Sequence, residues 1–279
     1  MVGMSNGPDQ PPGRPASRPP TGPPQRTSPW VQLRSASTHP FLYRRMVAAV
    51  DTAARPGDVV QVYDKSGGLL GRGLYNPHSE IVVRVLTHGD APVDDAFWQN
   101  TLGQAVSLRR ALRLDEATDA YRLVHSEGDG LSGLIAERYA DCLAFEIFSL
   151  GMFQRCHDLA ARLGVLLGPP ASLDRPGRAA PRWRVVVRAD EHIARIEGFR
   201  VPPPPEDAPT TVTIREHGVR YRVDMVAGHK TGFFCDQRDN RLAFARLCRD
   251  ADVLDCCCYT AGFGLCAKLL GGAREVTSV

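Results

Sequence analysis

The residues best suited to chemistry lie between Val253 and Val279, in VLDCCCYTAGFGLCAKLLGGAREVTSV. Val253 and Leu254 read as a buried strand that ends on a carboxylate, Asp255. A turn holding Ala261, Gly262 and Gly264 follows, then a short helix and a second β-like run, Glu275 to Val279. Small residues let the backbone approach a ligand, and Asp at the carboxyl end of a strand accepts hydrogen bonds. A helix N-terminus adds donors, and the whole makes a nucleotide-type cradle. The pattern is not GxGxxG. On spacing alone, an ordinary tight strand-to-helix turn is the simpler explanation.

A second candidate precedes it. GHKTGFFCDQRDNR, Gly228 to Arg241, gathers Lys230, Gln237, Arg238 and Asn240 beside Phe233 and Phe234. Such donors could grip a carboxylate. The alternative is a capped helix start, with Asp236 as N-cap and Asp239 favouring the dipole. That alternative accounts for the acids but not for the whole cluster. Other candidates have structural explanations. Cys256, Cys257 and Cys258 have no CxxC spacing and no nearby His, so they read as core residues and no metal site is expected. The eight histidines are scattered singly. Glu127 and Asp129 belong to an acidic hairpin turn, and GLLGRG at Gly68 to Gly73 reads as a turn.

The elements that must position these residues fall into four segments. Residues 1–30 are rich in Pro, Gly, Ser and Arg and are expected to be disordered. From Val31 to about Val85, alternating apolar residues between turn signals predict a small all-β module, followed by a helix from about Asp94 to Leu114. Tyr121 to Val124 and GLIAERYADCLAFEIF predict strands turning at Ala140-Asp141, with a helix over Phe153 to Leu167 and a strand over Val185 to Val187. Pro202 to Pro205 form a stiff linker and the best single boundary. Beyond it TVTIREHGVRYRVDMV predicts a hairpin turning at His217-Gly218, and Asp236 to Arg249 a helix.

Bulk properties exclude some classes. The 279 residues are 43% hydrophobic and 23% charged, with a net charge of +3, too small to demand a nucleic-acid partner. No apolar run approaches the ~18 residues of a transmembrane helix, so no membrane association is expected. The N-terminus lacks the apolar region of a secretory signal, so the protein is expected to be cytoplasmic with reduced thiols.

Taken together, YRLVHSEGDGLSGLIAERYAD, EHGVRYRVDMVAGHKTGFFCDQRDNR and VLDCCCYTAGFGL with GGAREVTSV resemble the RlmI-like family of rRNA methyltransferases. That family uses S-adenosyl-L-methionine (SAM) to methylate C5 of a cytosine in large-subunit rRNA. The resemblance covers nearly everything from Val31 onward. It implies a multidomain α+β and α/β protein: a PUA-like RNA-binding β-barrel over residues 31–110, a central α/β domain over 111–205, and the start of a Rossmann-like methyltransferase domain over 206–279. HPF at His39 to Phe41 matches loosely, since the family more usually has tryptophan where Phe41 stands. By resemblance Asp255, Tyr259, Thr260, Gly262 and Gly264 line the cofactor site, and Phe233, Gln237 and Arg238 close it on the methionine side. The implied partner is large-subunit rRNA, and a homodimer is one option left open.

The family's acidic ribose-binding residue, its Asp-Pro-Pro motif and its cysteine nucleophile have no counterpart here. No catalytic residue is therefore named. The resemblance implies a C-terminally truncated fragment, inactive alone and weak or null in SAM binding. A non-catalytic RNA-binding protein with a vestigial methyltransferase fold is the second reading, and an unrelated enzyme sharing only the cradle is the third.

Overall fold

The structure is a computed structural model that describes residues 26–170, 182–203, 210–225 and 232–279. Lys230, Pro204 and Pro205 lie outside the described residues, as do residues 1–25. No helix among the described residues is long and apolar enough to cross a membrane.

The N-terminal module is one six-stranded sheet in the order β2-β6-β5-β4-β1-β3. Its strands are β1 (Trp30–Leu33), β2 (Phe41–Tyr43), β3 (Val47–Val50), β4 (Val59–Tyr63), β5 (Leu69–Tyr75) and β6 (Ile81–His88). Alternation sends Val31, Leu33, Leu42, Val60 and Val62 to a common core with Tyr75, Val82 and Val83. Here the expected turn at GLLGRG is corrected, because Leu69 to Gly73 lie within β5. Its glycines serve close backbone approach: a Cβ on Gly71 would stand 2.1 Å from the Thr87 carbonyl oxygen, and one on Gly73 2.4 Å from that of Arg84.

The central unit is a four-stranded sheet, order β10-β9-β8-β7, built from β7 (Ala120–His125), β8 (Leu134–Tyr139), β9 (Cys142–Ile147) and β10 (Arg184–Arg188). Helices α1 (Asp95–Ala111) and α3 (Leu150–Leu167) cover one face. Both start as their sequences dictate: the Asp94 carboxylate accepts from the Phe97 amide, and the Ser149 hydroxyl accepts from that of Met152. Short helices α2 (Leu114–Ala117) and α4 (Glu191–Glu197) complete this unit.

The hairpin β11 (Thr211–Glu216) and β12 (Val219–Asp224) turns at His217-Gly218, as expected. Its Val212, Ile214, Val219, Tyr221 and Val223 join Ala120, Tyr139, Cys142, Ala144 and Val186 in a single core. That core draws on residues from both sides of the proline run. Beyond the hairpin come α5 (Arg238–Ala245), β13 (Asp252–Asp255), α6 (Gly262–Leu269) and β14 (Glu275–Ser278). β13 and β14 pair in parallel through α6, a βαβ unit. The strand expected to be buried is not: Leu254 is 63% exposed. Among the described residues β13 has only β14 beside it, and while Val253 and Val276 pack against Phe244, Cys248 and Ala267, Leu254 on the other face is left uncovered.

Candidate functional site

The site is built where β13 gives way to α6. Asp255, the last residue of β13, points its carboxylate at the start of α6, where the Gly264 amide donates to Oδ2 at 2.9 Å. A side chain at position 264 would not fit. An added Cβ would stand 3.1 Å from that oxygen, 3.0 Å from Val276 and 2.8 Å from the Ser278 hydroxyl. The amides of Gly262 and Phe263 have no acceptor among the described residues. Strand end, loop and helix start therefore form a concave backbone surface with a carboxylate at one side and free N–H donors at the other.

The connecting loop is strained. Cys257, Tyr259 and Ala261 have φ of 57°, 49° and 52°, so three non-glycine residues within five take the left-handed conformation. Neighbours hold them there. The Cys258 amide donates to the Val279 carbonyl at 2.9 Å, and the Ala261 amide to that of Cys258 at 2.7 Å. The Tyr259 hydroxyl donates to the Gly232 carbonyl at 2.9 Å, and its ring meets Phe234 edge-on at 5.5 Å.

That last contact ties the loop to the second sequence cluster, and Arg241 completes the tie. Arg241 forms a two-point ion pair with Glu216, Nε to Oε1 at 2.7 Å and Nη2 to Oε2 at 2.8 Å. It also donates to the Phe234 carbonyl and lies 4.5 Å from the Phe233 ring centroid. A Cβ on Gly262 would come within 2.9 Å of the Arg241 side chain, so this glycine is where loop and guanidinium stem meet. Arg241 was not singled out from sequence. The usable signal was Glu216, a carboxylate in phase with the inward positions Val212 and Ile214 and so in need of a buried cation.

The predicted residues thus divide. Asp255, Tyr259, Gly262 and Gly264 lie together, Thr260 sits half-buried between them, and Phe233 is connected through Arg241. Gln237 and Arg238 stand apart from the loop. Asn240 donates to the Gln237 side chain at 2.9 Å, while Arg238 pairs with its neighbour Asp239, whose carboxyl it holds below the usual range. Arg238, Phe233 and Phe234 line a cleft of about 380 Å³ shared with Tyr121, Arg122 and Glu137 of the central unit. None of the loop residues lines it.

Two expectations need correction. Asp236 does not cap the helix: it lies in a 3₁₀ turn over Cys235–Gln237, and Gln237 precedes α5 without a side-chain capping bond. Cys256 and Cys257 are not core residues but exposed, because β13 ends at Asp255 and the chain turns there into solvent. Among the described residues no three His, Cys, Asp or Glu side chains are grouped to hold a metal. Asp129 is structural, with a two-point ion pair to Arg109 at 2.6 and 2.7 Å.

Known proteins resemble the chain over most of its length. The PUA-like domain family matches residues 33–88. The ribosomal RNA large subunit methyltransferase I of Alteromonas mediterranea is 37% identical over 242 residues, and that of Klebsiella pneumoniae is 37% identical over 246. The chain is a homologue of these methyltransferases. Each match takes in 86% of this chain and 58% of the relative, so the chain spans under two thirds of their length. The fold agrees with two solved structures. One, described as a SAM-dependent methyltransferase from Streptococcus mutans, gives a TM-score of 0.65 at 20% identity over 89% of this chain and 62% of that one. The other, described as a methyltransferase complexed with SAH, gives 0.62 at 22% identity over 89% and 58%.

Proposed function

We propose that this chain serves a SAM-dependent methyltransferase of large-subunit rRNA, with C5 of a cytosine as the methyl acceptor. Residues 31–110 form the RNA-facing unit, 111–205 the central unit and 206–279 the cofactor-binding unit of a cytoplasmic protein. The observation that carries the reading is the Asp255–Gly264 hydrogen bond inside the β13–α6–β14 unit of a methyltransferase homologue.

The residues present suit such a cofactor. Asp255 offers carboxylate acceptors, the Gly262 and Phe263 amides offer donors, and Gly264 leaves the backbone open to close approach. Tyr259 and Thr260 supply the loop's side chains, and Phe233 flanks it across Arg241. When bound, SAM supplies an electrophilic methyl group. The loop's share is to hold and orient the cofactor, at low ordering cost because its backbone is already fixed.

Photocrosslinking with methyl-tritiated SAM detects even weak binding. Label is expected on the peptide containing Tyr259, and lost in Asp255→Ala. Label elsewhere, or label indifferent to Asp255, would refute the assignment. RNA binding with no cofactor crosslink would favour the non-catalytic RNA-binding reading.

A further inference from the structure

In the six-stranded sheet, β2 is an edge strand whose one neighbour among the described residues is β6. Leu42 faces the core, so Phe41 and Tyr43 lie on the opposite face of the strand, half-buried, and neither belongs to a hydrophobic core among the described residues. Soluble proteins ordinarily put polar residues at such positions. Here there are two aromatic rings, with a third laid over them. The Phe41 amide donates to His39 Nδ1 at 3.0 Å, folding the imidazole back to 5.6 Å from the Phe41 ring and 6.2 Å from the Tyr43 ring.

Cations flank the row. Arg84, opposite Phe41 in the β2–β6 register, holds its guanidinium 5.3 Å from that ring, and Arg45 lies 5.9 Å from the Tyr43 ring. The Arg34 amide donates to the Met46 carbonyl, so its backbone lies against the residue that follows Arg45. Carboxylates offset part of this charge: Glu80 stands 3.4 Å from Arg44, while Glu127 and Glu197 stand 3.9 and 3.7 Å from Arg84. Among the described residues Arg34 and Arg45 have no carboxylate partner, and both are exposed.

We infer that the outward face of β2 is a stacking platform for unpaired RNA bases, with Phe41, Tyr43 and His39 taking the base faces and Arg45 and Arg34 the phosphates. This rests on the RNA-substrate reading above and goes beyond it in naming the face and the single-stranded form of the ligand. Duplex RNA hides its base faces, whereas splayed bases stack on aromatic rings whatever their sequence. An acidic protein partner could pair with the same arginines, but it would not give the base-stacking signal tested below.

The test uses the full chain and a 12-nucleotide single-stranded RNA carrying one 2-aminopurine and a terminal fluorophore, with the matching duplex as comparison. The single strand should bind more tightly than the duplex and quench 2-aminopurine fluorescence. Phe41→Ala with Tyr43→Ala should weaken it by on the order of a hundredfold, about tenfold for each ring, and remove the quenching. Tyr43→Phe, which keeps the ring, should bind as the parent does. Arg45→Gln should lower the slope of log K against log salt by about 0.7, one phosphate contact on a single strand. Duplex preference, or full affinity in the double alanine variant with an unchanged melting temperature, would overturn the platform. Crosslinking to labelled SAM on the same protein keeps the two proposals separable. SAM label without RNA binding overturns the platform alone, and ring-dependent RNA binding without SAM label overturns the cofactor-site assignment alone.

Discussion

Glu216 and Arg241 meet in a two-point ion pair that is almost wholly out of water, with side chains 0% and 3% exposed. Glu216 ends the first strand of the hairpin and Arg241 lies in the helix that precedes the β13–α6 loop. Their contact fixes the loop's aromatic wall to the central core. Removing one partner leaves a buried charge uncompensated, which costs about 3–5 kcal/mol. Glu216→Gln and Arg241→Met should each destabilise the protein on that scale in urea unfolding. The double replacement Glu216→Leu with Arg241→Met should recover much of the loss. Equal losses in the single and double variants would show that the pair is not a unit.

Asp255 is half-exposed and gives one hydrogen bond to the fold, so its loss should matter little to stability. Asp255→Ala should cost about 1 kcal/mol or less in unfolding while abolishing the SAM crosslink. Gly264→Ala should do the converse work of filling the space, pushing against Ser278 and Val276 and lowering both stability and crosslinking. A Gly264→Ala protein that labels normally would remove the steric argument.

Burial pushes the Cys142 thiol up to about 12 from an ordinary value of 9.0, against the opposing pull of Arg184. The folded state therefore keeps its proton after the unfolded chain has lost it. Stability from this group is complete below pH 9 and declines as pH rises toward 12, at about 1.4 kcal/mol per pH unit. Cys142→Ala should make the alkaline limb of stability against pH shallower. A residual slope is expected, since burial raises Tyr121, Tyr221, Cys235 and Cys266 as well.

The acid limb has the opposite sign. Burial works against ionising Asp129, but Arg109 and the His125 amide outweigh it and hold the carboxyl below 3.8. Its contribution is present above that pH and lost as pH falls through the lowered value. Asp129→Asn should reduce stability at neutral pH and flatten the decline below about pH 4, measured by thermal melts.

Exposure orders the thiols. Brief alkylation of the native protein should modify Cys256 and Cys257 first and leave Cys142, Cys156, Cys248 and Cys266 intact, read by peptide mass spectrometry. Early labelling of Cys266 would show that the packing of α6 against the hairpin is wrong.

Much of the scaffold was legible because its signals are local. Alternation drew β11 and β12 and the turn between them, and the apolar runs around Ala140 drew β8 and β9. The same locality explains the misses. GLLGRG looks like a turn until a facing strand supplies the carbonyl oxygens that exclude a Cβ at Gly71 and Gly73. The cysteine run after Asp255 looks like core because thiols are usually buried, and a strand end at Asp255 does not say which way the following turn faces. Arg241 was passed over because its meaning lies in Glu216, 25 residues away. The aromatic row on β2 could be read as strand but not as surface until the opposite face proved to be the core.

The core shared between the central sheet and the β11–β12 hairpin has a consequence for how the molecule comes apart. Neither side of the proline run can open without stripping apolar area from the other, so the two should lose amide protection in hydrogen exchange as one cooperative unit. The boundary drawn at the proline run therefore divides the sequence without dividing the core.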